Sequence, residues 1–359
     1  MARTDSAIRA PADEFSTELA FFRERAGVPA AGAALINVDG LQAIKVIGVR
    51  FRNGMEAVRA SDAWHIGSCT KALTAAVVAR LVEEGRVEWS TPVVRIFDDL
   101  AGSCSPAWES RSLEDLLLGI SGLNANPSPV QMRAHWLDEA PLVAQRSALT
   151  AAALSVSPGP RGRFLYSNLG YIVVGAAIDR LSGRSFEAAL QHYILDPLGM
   201  TSVGYGPPSA IHGHHARLCL GSFLAWPGKP ATPDVLVSDN PRVFSSAGTV
   251  HLTLSDWSRF VQLFLTDGGG LLQPSSVEYL LKQPEKSAMA MGWLATPASI
   301  RASYVFQGSN TLWSAGVALN GDRSVASLVA CNDGRSSVLM KAGTLAERLL
   351  DLPPSSAHH

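Results

Sequence analysis

The chain is strand-like at both ends and helix-like between, and that ordering limits the folds open to it. Near the N-terminus, Phe15, Leu19, Phe22 and Ala26 recur on one helical face that Gly27 and Pro29 bring to an end. Ala30 to Asn37 and Leu41 to Arg50 read as two strands joined at Val38-Asp39-Gly40, an Asp-Gly hairpin turn. Ser68 to Gly85 holds the strongest helical pattern. Leu73, Val77, Leu81 and Val82 make its apolar stripe, and Gly85 stands where a C-terminal cap belongs. From about Ser90 to Gln283, helical patterns alternate with Gly/Pro turns. One stretch there, Gly204 to Ser246, is long for a connector and is expected to rim a site. Strands return between Tyr304 and Asn332, and a helix over Ser337 to Leu350 closes the chain. The expectation is an α/β (α+β) fold. Residues 1–89 and 288–359 build a sheet domain, a mainly helical domain (90–287) is inserted, and the site lies between them.

Composition removes several classes of function. Of 359 residues, 47% are hydrophobic and 17% charged, with a net charge of −1, which excludes a disordered chain. No basic excess points to nucleic acid. Cys69, Cys104, Cys219 and Cys331 lie far apart with no CxxC pair, as a reducing compartment would favour. Met1 to Arg25 lacks the apolar core of a secretory signal, and no apolar run approaches the ~20 residues of a membrane span. The reading is a cytoplasmic protein with neither nucleic acid nor membrane as partner.

The chemistry concentrates in Trp64-His65-Ile66-Gly67-Ser68-Cys69-Thr70-Lys71. Ser68 and Lys71 form SxxK at the start of the strongest helix, where residues three apart have Cβ atoms about 5–6 Å apart. A serine hydroxyl is a weak nucleophile until a base takes its proton, and a lysine is that base only when burial or a nearby cation lowers its pKa. The helix N-terminus adds partial positive charge and free N–H groups. Tyr166-Ser167-Asn168 supplies a second element. Tyr166 is a base or proton shuttle if Lys71 lowers its pKa, and Asn168 can orient Lys71 or a substrate amide.

Five segments in this order resemble the class C β-lactamase-like family of serine enzymes: WHIGSCTKALTA, SLEDLLLGISGL (Ser112 to Leu123), RFLYSNLGYIVVG (Arg163 to Gly175), LDPLGMTSVGYG (Leu195 to Gly206) and SSAGTVHLTLSDW (Ser245 to Trp257). That family includes β-lactamases, D-amino-acid peptidases, esterases and some acyltransferases. The resemblance implies an antiparallel sheet flanked by helices, with Ser68 as acylated nucleophile, Lys71 as its activating partner, Tyr166 as general base and Asn168 as a substrate-contacting amide. It implies no metal and no cofactor. The family's third motif, Lys-Thr-Gly or His-x-Gly, is matched best by Phe306-Gln307-Gly308, followed by Ser309. Phe306, Gln307, Gly308, Ser309 and Trp313 are therefore expected at the substrate, with the N–H groups of Ser68 and Ser309 as the oxyanion hole. Phe306 replaces the usual cation or imidazole, and no Lys or His occurs between Ala288 and Met340. Recognition of a carboxylate-bearing substrate should therefore be weak, while an uncharged small-molecule ester or amide remains open.

Rival readings are weaker. Ser238-Asp239-Asn240 spells a class A β-lactamase element but lies too far downstream of Ser68 for that order, and is read as a turn. No Gly-x-Ser-x-Gly elbow occurs. Cys69 is read as a packed thiol, and His212, His214 and His215 as a solvated loop rather than a metal site. Three functions remain: an ester or amide hydrolase, a transacylase passing the acyl group to an amine or alcohol, and a ligand-binding pseudoenzyme.

Overall fold

A computed structural model of the protein describes residues 11–217, 226–236, 238–295 and 302–352. Cys219 and the first ten residues of the segment read for targeting lie outside the described residues. In chain order the strands are β1 (Ala30–Asn37), β2 (Gly40–Gly48), β3 (Trp64–His65), β4 (Gly204–Tyr205), β5 (Gly213–Arg217) and β6 (Trp226–Ala231). They continue with β7 (Val250–Leu252), β8 (Leu294–Ala295), β9 (Ala302–Ser309), β10 (Ser314–Asn320) and β11 (Val325–Cys331). Six of them form an antiparallel sheet in the order β2-β1-β11-β10-β9-β8, so strands from both ends of the chain share one sheet. β3 and β4 flank β7 in a small second sheet, and β5 pairs with β6.

Alternation along the strands decides which face each side chain serves. Ala31, Ala33, Leu35, Val329 and Cys331 meet the N-terminal helix α1 (Pro11–Ala26) and the C-terminal helix Ser336–Leu349. Ala30, Ala34, Ile36, Leu328 and Ala330 join the larger core on the other face. Small residues on β1 let helices come close. A Cβ added at Gly32 would stand 2.8 Å from Leu254 Cδ1, at the start of the helix Leu254–Leu265 that lies on β1 and β2. That helix, like β7, is numbered inside the 90–287 stretch, so the sheet side draws on residues from it.

The helix α2 (Thr70–Glu83) runs through the large core with 11 of its 14 residues buried, not on a single stripe. Ala72, Ala75, Ala76 and Ala79 cover the flank that the stripe of Leu73, Val77 and Leu81 leaves, as a helix buried all round requires. Gly85 follows it with φ +68°, in the left-handed cap conformation. Beyond α2, the helices Leu142–Leu154, Asn168–Ser182 and Phe186–Leu190 are tied together by Arg146, whose side chain is fully buried. Its guanidinium meets Asp179 through two hydrogen bonds (2.8 and 2.9 Å), Glu187 through two more (2.8 and 3.1 Å), and Ser245 Oγ at 3.0 Å. Among the described residues no helix is long and apolar enough to cross a membrane.

Asn332 joins distant parts of the chain. Its Oδ1 accepts from Ala30 N–H (2.9 Å), and its Nδ2 donates to the carbonyls of Arg50 (3.0 Å) and His212 (3.2 Å). Asn332→Ala would leave one amide and two carbonyls without these partners, at a cost of about 2–4 kcal/mol. A lower urea midpoint with an unchanged m-value is the expected result, and a change of under about 0.5 kcal/mol would contradict it.

Candidate active site

The site begins where β3 ends. Trp64 and His65 pair with Leu252 and His251 of β7, and the chain then turns at Gly67, with φ +51°. Ser68 stands in the short turn Gly67–Cys69 that leads into α2. Two glycines let β9 press against this turn. A Cβ at Gly308 would lie 1.9 Å from Ile66 O and 2.8 Å from Ser68 N, and one at Gly67 would lie 2.4 Å from Ser309 N. No side chain fits at either position, and the backbone amides of Ser68 and Ser309 come side by side.

Lys71, one helical turn on, is completely buried. Its Nζ donates three hydrogen bonds: to Ser68 Oγ (3.2 Å), Asn168 Oδ1 (2.7 Å) and Ala247 O (2.6 Å). Burial lowers its pKa to about 7, because the charged form loses water. Asn168 opens the helix Asn168–Ser182, which Ser167 caps by accepting from Gly170 N–H (2.8 Å). Its Nδ2 donates to Asn126 Oδ1 (2.8 Å), so the amide is oriented from both ends. The Tyr166 ring lies 4.8 Å from Lys71 Nζ. Burial pushes the Tyr166 phenol up, and its hydrogen bond with Ser68 only partly opposes this. Lys71 therefore does not lower it, and Tyr166 stays a phenol at neutral pH. Cys69 is buried and its thiol is pushed up by burial, as a packed thiol should be.

A cavity of about 710 Å³ opens over Ser68, with Asn126, Met132, Trp136, Asn168, Phe244 and Thr311 among its walls. Three expected substrate contacts are elsewhere. Gln307 points through the sheet to its other face, since a Cβ at Gly343 of the C-terminal helix would lie 1.8 Å from Gln307 Nε2. Strand alternation forces this, because Gly308 must face the serine. Phe306 is 3% exposed and belongs to the large core, where it does not line the cavity. Trp313 is fully buried and stacks on His65, with ring centroids 5.4 Å apart, behind the site instead of lining it. The structure thus brings together Ser68, Lys71, Tyr166, Asn168, Gly308 and Ser309.

Sequence reasoning missed the group behind the nucleophile. His65 Nδ1 accepts from Gly67 N–H (3.0 Å), so the neutral ring carries its proton on Nε2 and donates it to Asp239 Oδ2 (2.8 Å). Asp239 Oδ1 accepts from Asn310 Nδ2 (2.8 Å), and its carbonyl from Trp136 Nε1 (2.9 Å). The Ser238-Asp239-Asn240 turn therefore braces both the turn before Ser68 and the residue after Ser309. The spelling of that motif was visible in the sequence, but its partners were not. The histidine loop also differs from expectation. His214 is fully buried, with Nδ1 on Asn332 O (2.6 Å), and burial lowers its pKa to about 4, while His212 stacks on Phe51. The side chain of His215 lies outside the described residues.

A partly buried serine at the head of a buried helix, bonded to a desolvated lysine three residues on, defines a β-lactamase-like serine hydrolase site. The Beta-lactamase family profile matches residues 19–351, and the chain belongs to that family. It is 28% identical to the Unguisins hydrolase ungD of Aspergillus violaceofuscus over 58% of this chain and 37% of that protein, and so spans little more than a third of that relative. It is 26% identical to Penicillin-binding protein 4 of Amycolatopsis lactamdurans, over 74% of this chain and 70% of that one. A class C β-lactamase from Rhodobacter sphaeroides shares the fold with a TM-score of 0.71 at 18% identity, covering 94% of this chain and 98% of that one.

Asp239→Ala would leave His65 and Asn310 without the carboxylate that braces them. We expect the rate of covalent labelling at Ser68 by a fluorophosphonate to fall at least about tenfold, as misplacement of a reacting group does. Circular dichroism should stay unchanged, and an unchanged labelling rate would contradict the bracing role.

Proposed function

We propose that the protein hydrolyses an uncharged ester or amide of a small molecule through an acyl-enzyme on Ser68. The observation that carries this reading is Lys71, without solvent exposure, 3.2 Å from Ser68 Oγ and with a pKa of about 7. In its neutral form Lys71 takes the Ser68 proton as Oγ attacks the carbonyl carbon. The N–H groups of Ser68 and Ser309 receive the oxyanion of the tetrahedral intermediate. Tyr166, a phenol hydrogen-bonded to Ser68, donates its proton to the leaving atom and regains one from the Lys71 ammonium. Water then attacks the acyl-serine by the same groups in reverse.

The substrate's lack of charge follows from the cavity. Among the described residues its lining holds no Lys or Arg, and its one carboxylate, Asp239, is already bonded to His65 and Asn310. A carboxylate-bearing ligand would find no cation there. The relative named as a hydrolase supports water as the acyl acceptor.

A fluorophosphonate followed by intact-mass measurement tests the nucleophile. One adduct at Ser68, lost in Ser68→Ala, is expected, and an adduct that survives this change would refute the assignment. The pH dependence tests the base. Below pH about 7 Lys71 is an ammonium and cannot accept a proton, so kcat/KM for an activated ester should fall about tenfold per unit. Above it the rate should level off, and a rate flat from pH 5 to 9 would exclude Lys71 as the base.

A further inference from the structure

The turn between β9 and β10, residues 310–313, carries an uncommon backbone conformation beside the site. Thr311 has φ +75°. Of the four non-glycine residues with positive φ among the described residues, it alone has a branched β-carbon; the others are Asn53, Asp267 and Arg323. Left-handed backbone crowds a branched side chain, whereas glycine adopts it freely. Such strain persists only where the surroundings impose it. Here Ser309 Oγ accepts from Thr311 N–H (3.0 Å) and donates to Trp313 O (2.6 Å). Asn310 Oδ1 accepts from the N–H groups of Leu312 (3.1 Å) and Trp313 (3.2 Å), and its Nδ2 is anchored on Asp239. A Cβ added at Gly334, which follows β11, would stand 1.9 Å from the Thr311 carbonyl carbon, so that segment packs tightly on the turn.

None of the bonds that hold the turn uses the Thr311 side chain. A glycine would meet the same backbone with less strain, yet the chain carries a threonine. The Thr311 N–H is taken by Ser309 and its carbonyl is covered by Gly334, so the surface that this exposed residue presents is chiefly its side chain. Thr311 forms part of the wall of the cavity over Ser68. Two residues of chain reach at most about 7 Å, which keeps Thr311 close to the Ser309 amide that receives the oxyanion. Branching at Cβ leaves the side chain few rotamers, so this part of the wall is stiff. Tyr166, which protonates the leaving atom, is not in the cavity's lining, so the cavity receives the acyl side of the substrate.

We propose that Thr311 is a specificity-determining residue, whose branched side chain walls the cavity beside the reacting carbonyl and selects acyl groups that are unbranched next to that carbonyl. The inference rests on the hydrolase reading of Ser68 and adds to it a substrate class: esters or amides of straight-chain acyl groups. Bulk at Thr311, not its hydroxyl, does the selecting.

The test compares p-nitrophenyl trimethylacetate, branched next to the carbonyl, with p-nitrophenyl acetate. The readout is the ratio of their kcat/KM values, variant against wild type, so that the intrinsic reactivities of the two esters cancel. In Thr311→Gly the ratio should rise about tenfold, as removal of a blocking group from a pocket does. Thr311→Val keeps the bulk and loses the hydroxyl, and should leave the ratio within about twofold of wild type. Thr311→Ala removes the branch but keeps the Cβ, and should give an intermediate rise. A ratio unchanged in Thr311→Gly overturns the proposal. So does a rise in Thr311→Val equal to that in Thr311→Gly, which would assign the selection to the hydroxyl, or a rise in Thr311→Gly with none in Thr311→Ala, which would assign it to a loosened turn. The urea midpoint of Thr311→Gly should not fall below that of wild type, because strain is relieved. A fall would make the side chain structural and also overturn the proposal. Fluorophosphonate labelling of wild-type Ser68 keeps the two claims apart. Protein that labels and turns over the acetate with an unchanged ratio in the variants refutes the role of Thr311 alone. Protein that neither labels nor turns over the acetate refutes the hydrolase reading, and the selection at Thr311 falls with it.

Discussion

An ammonium group cut off from water must be held by protein acceptors, and Lys71 is held by three. Removing a charge from water costs several kcal/mol per ion, and the hydrogen bonds to Ser68, Asn168 and Ala247 offset part of this. The remainder appears as a pKa lowered to about 7. The same burial that makes the lysine costly thus makes it a base. Asn168 and Ala247 come from parts of the chain 97 and 176 positions away, so the full set of bonds forms only when those segments have come together.

The surroundings serve that arrangement. Arg146 ties three helices to Ser245, two residues before the carbonyl that Lys71 uses. Asn126 and the Ser167 cap fix the amide of Asn168. His65, Asp239 and Asn310 brace the serine's turn and the end of β9 from behind. Gly67 and Gly308 are there because any side chain would force the amides of Ser68 and Ser309 apart.

Much of this was legible in the sequence because it is local. The strands near both ends, the helix after Ser68 and the cap at Gly85 depend on neighbours within a few residues. The SxxK pair is local too. What escaped was the direction of side chains set by tertiary packing. Phe306, Gln307 and Trp313 fall in the correct strand and hairpin, yet one residue of register decides that Gln307 faces the C-terminal helix. Phe306 and Trp313 are drawn into apolar packing, which no motif spells out. Sequence order argues against one family's motif at Ser238-Asp239-Asn240 and leaves Asp239 in a turn. Its bonds to His65 and Asn310, 174 and 71 positions away, could not be read from spacing. The sign of the Tyr166 shift was also hidden, since it depends on how much water the fold removes.

The central claim is that Lys71 is largely an uncharged amine above pH 7 while seated against Ser68. Nitrogen-15 NMR of the Lys71 side chain, assigned by Lys71→Arg and titrated from pH 5 to 11, measures this directly. A midpoint near 7 is predicted. A midpoint near the ordinary lysine value of about 10.4 would contradict the account, because the amine would then be charged and unable to take the serine's proton at neutral pH.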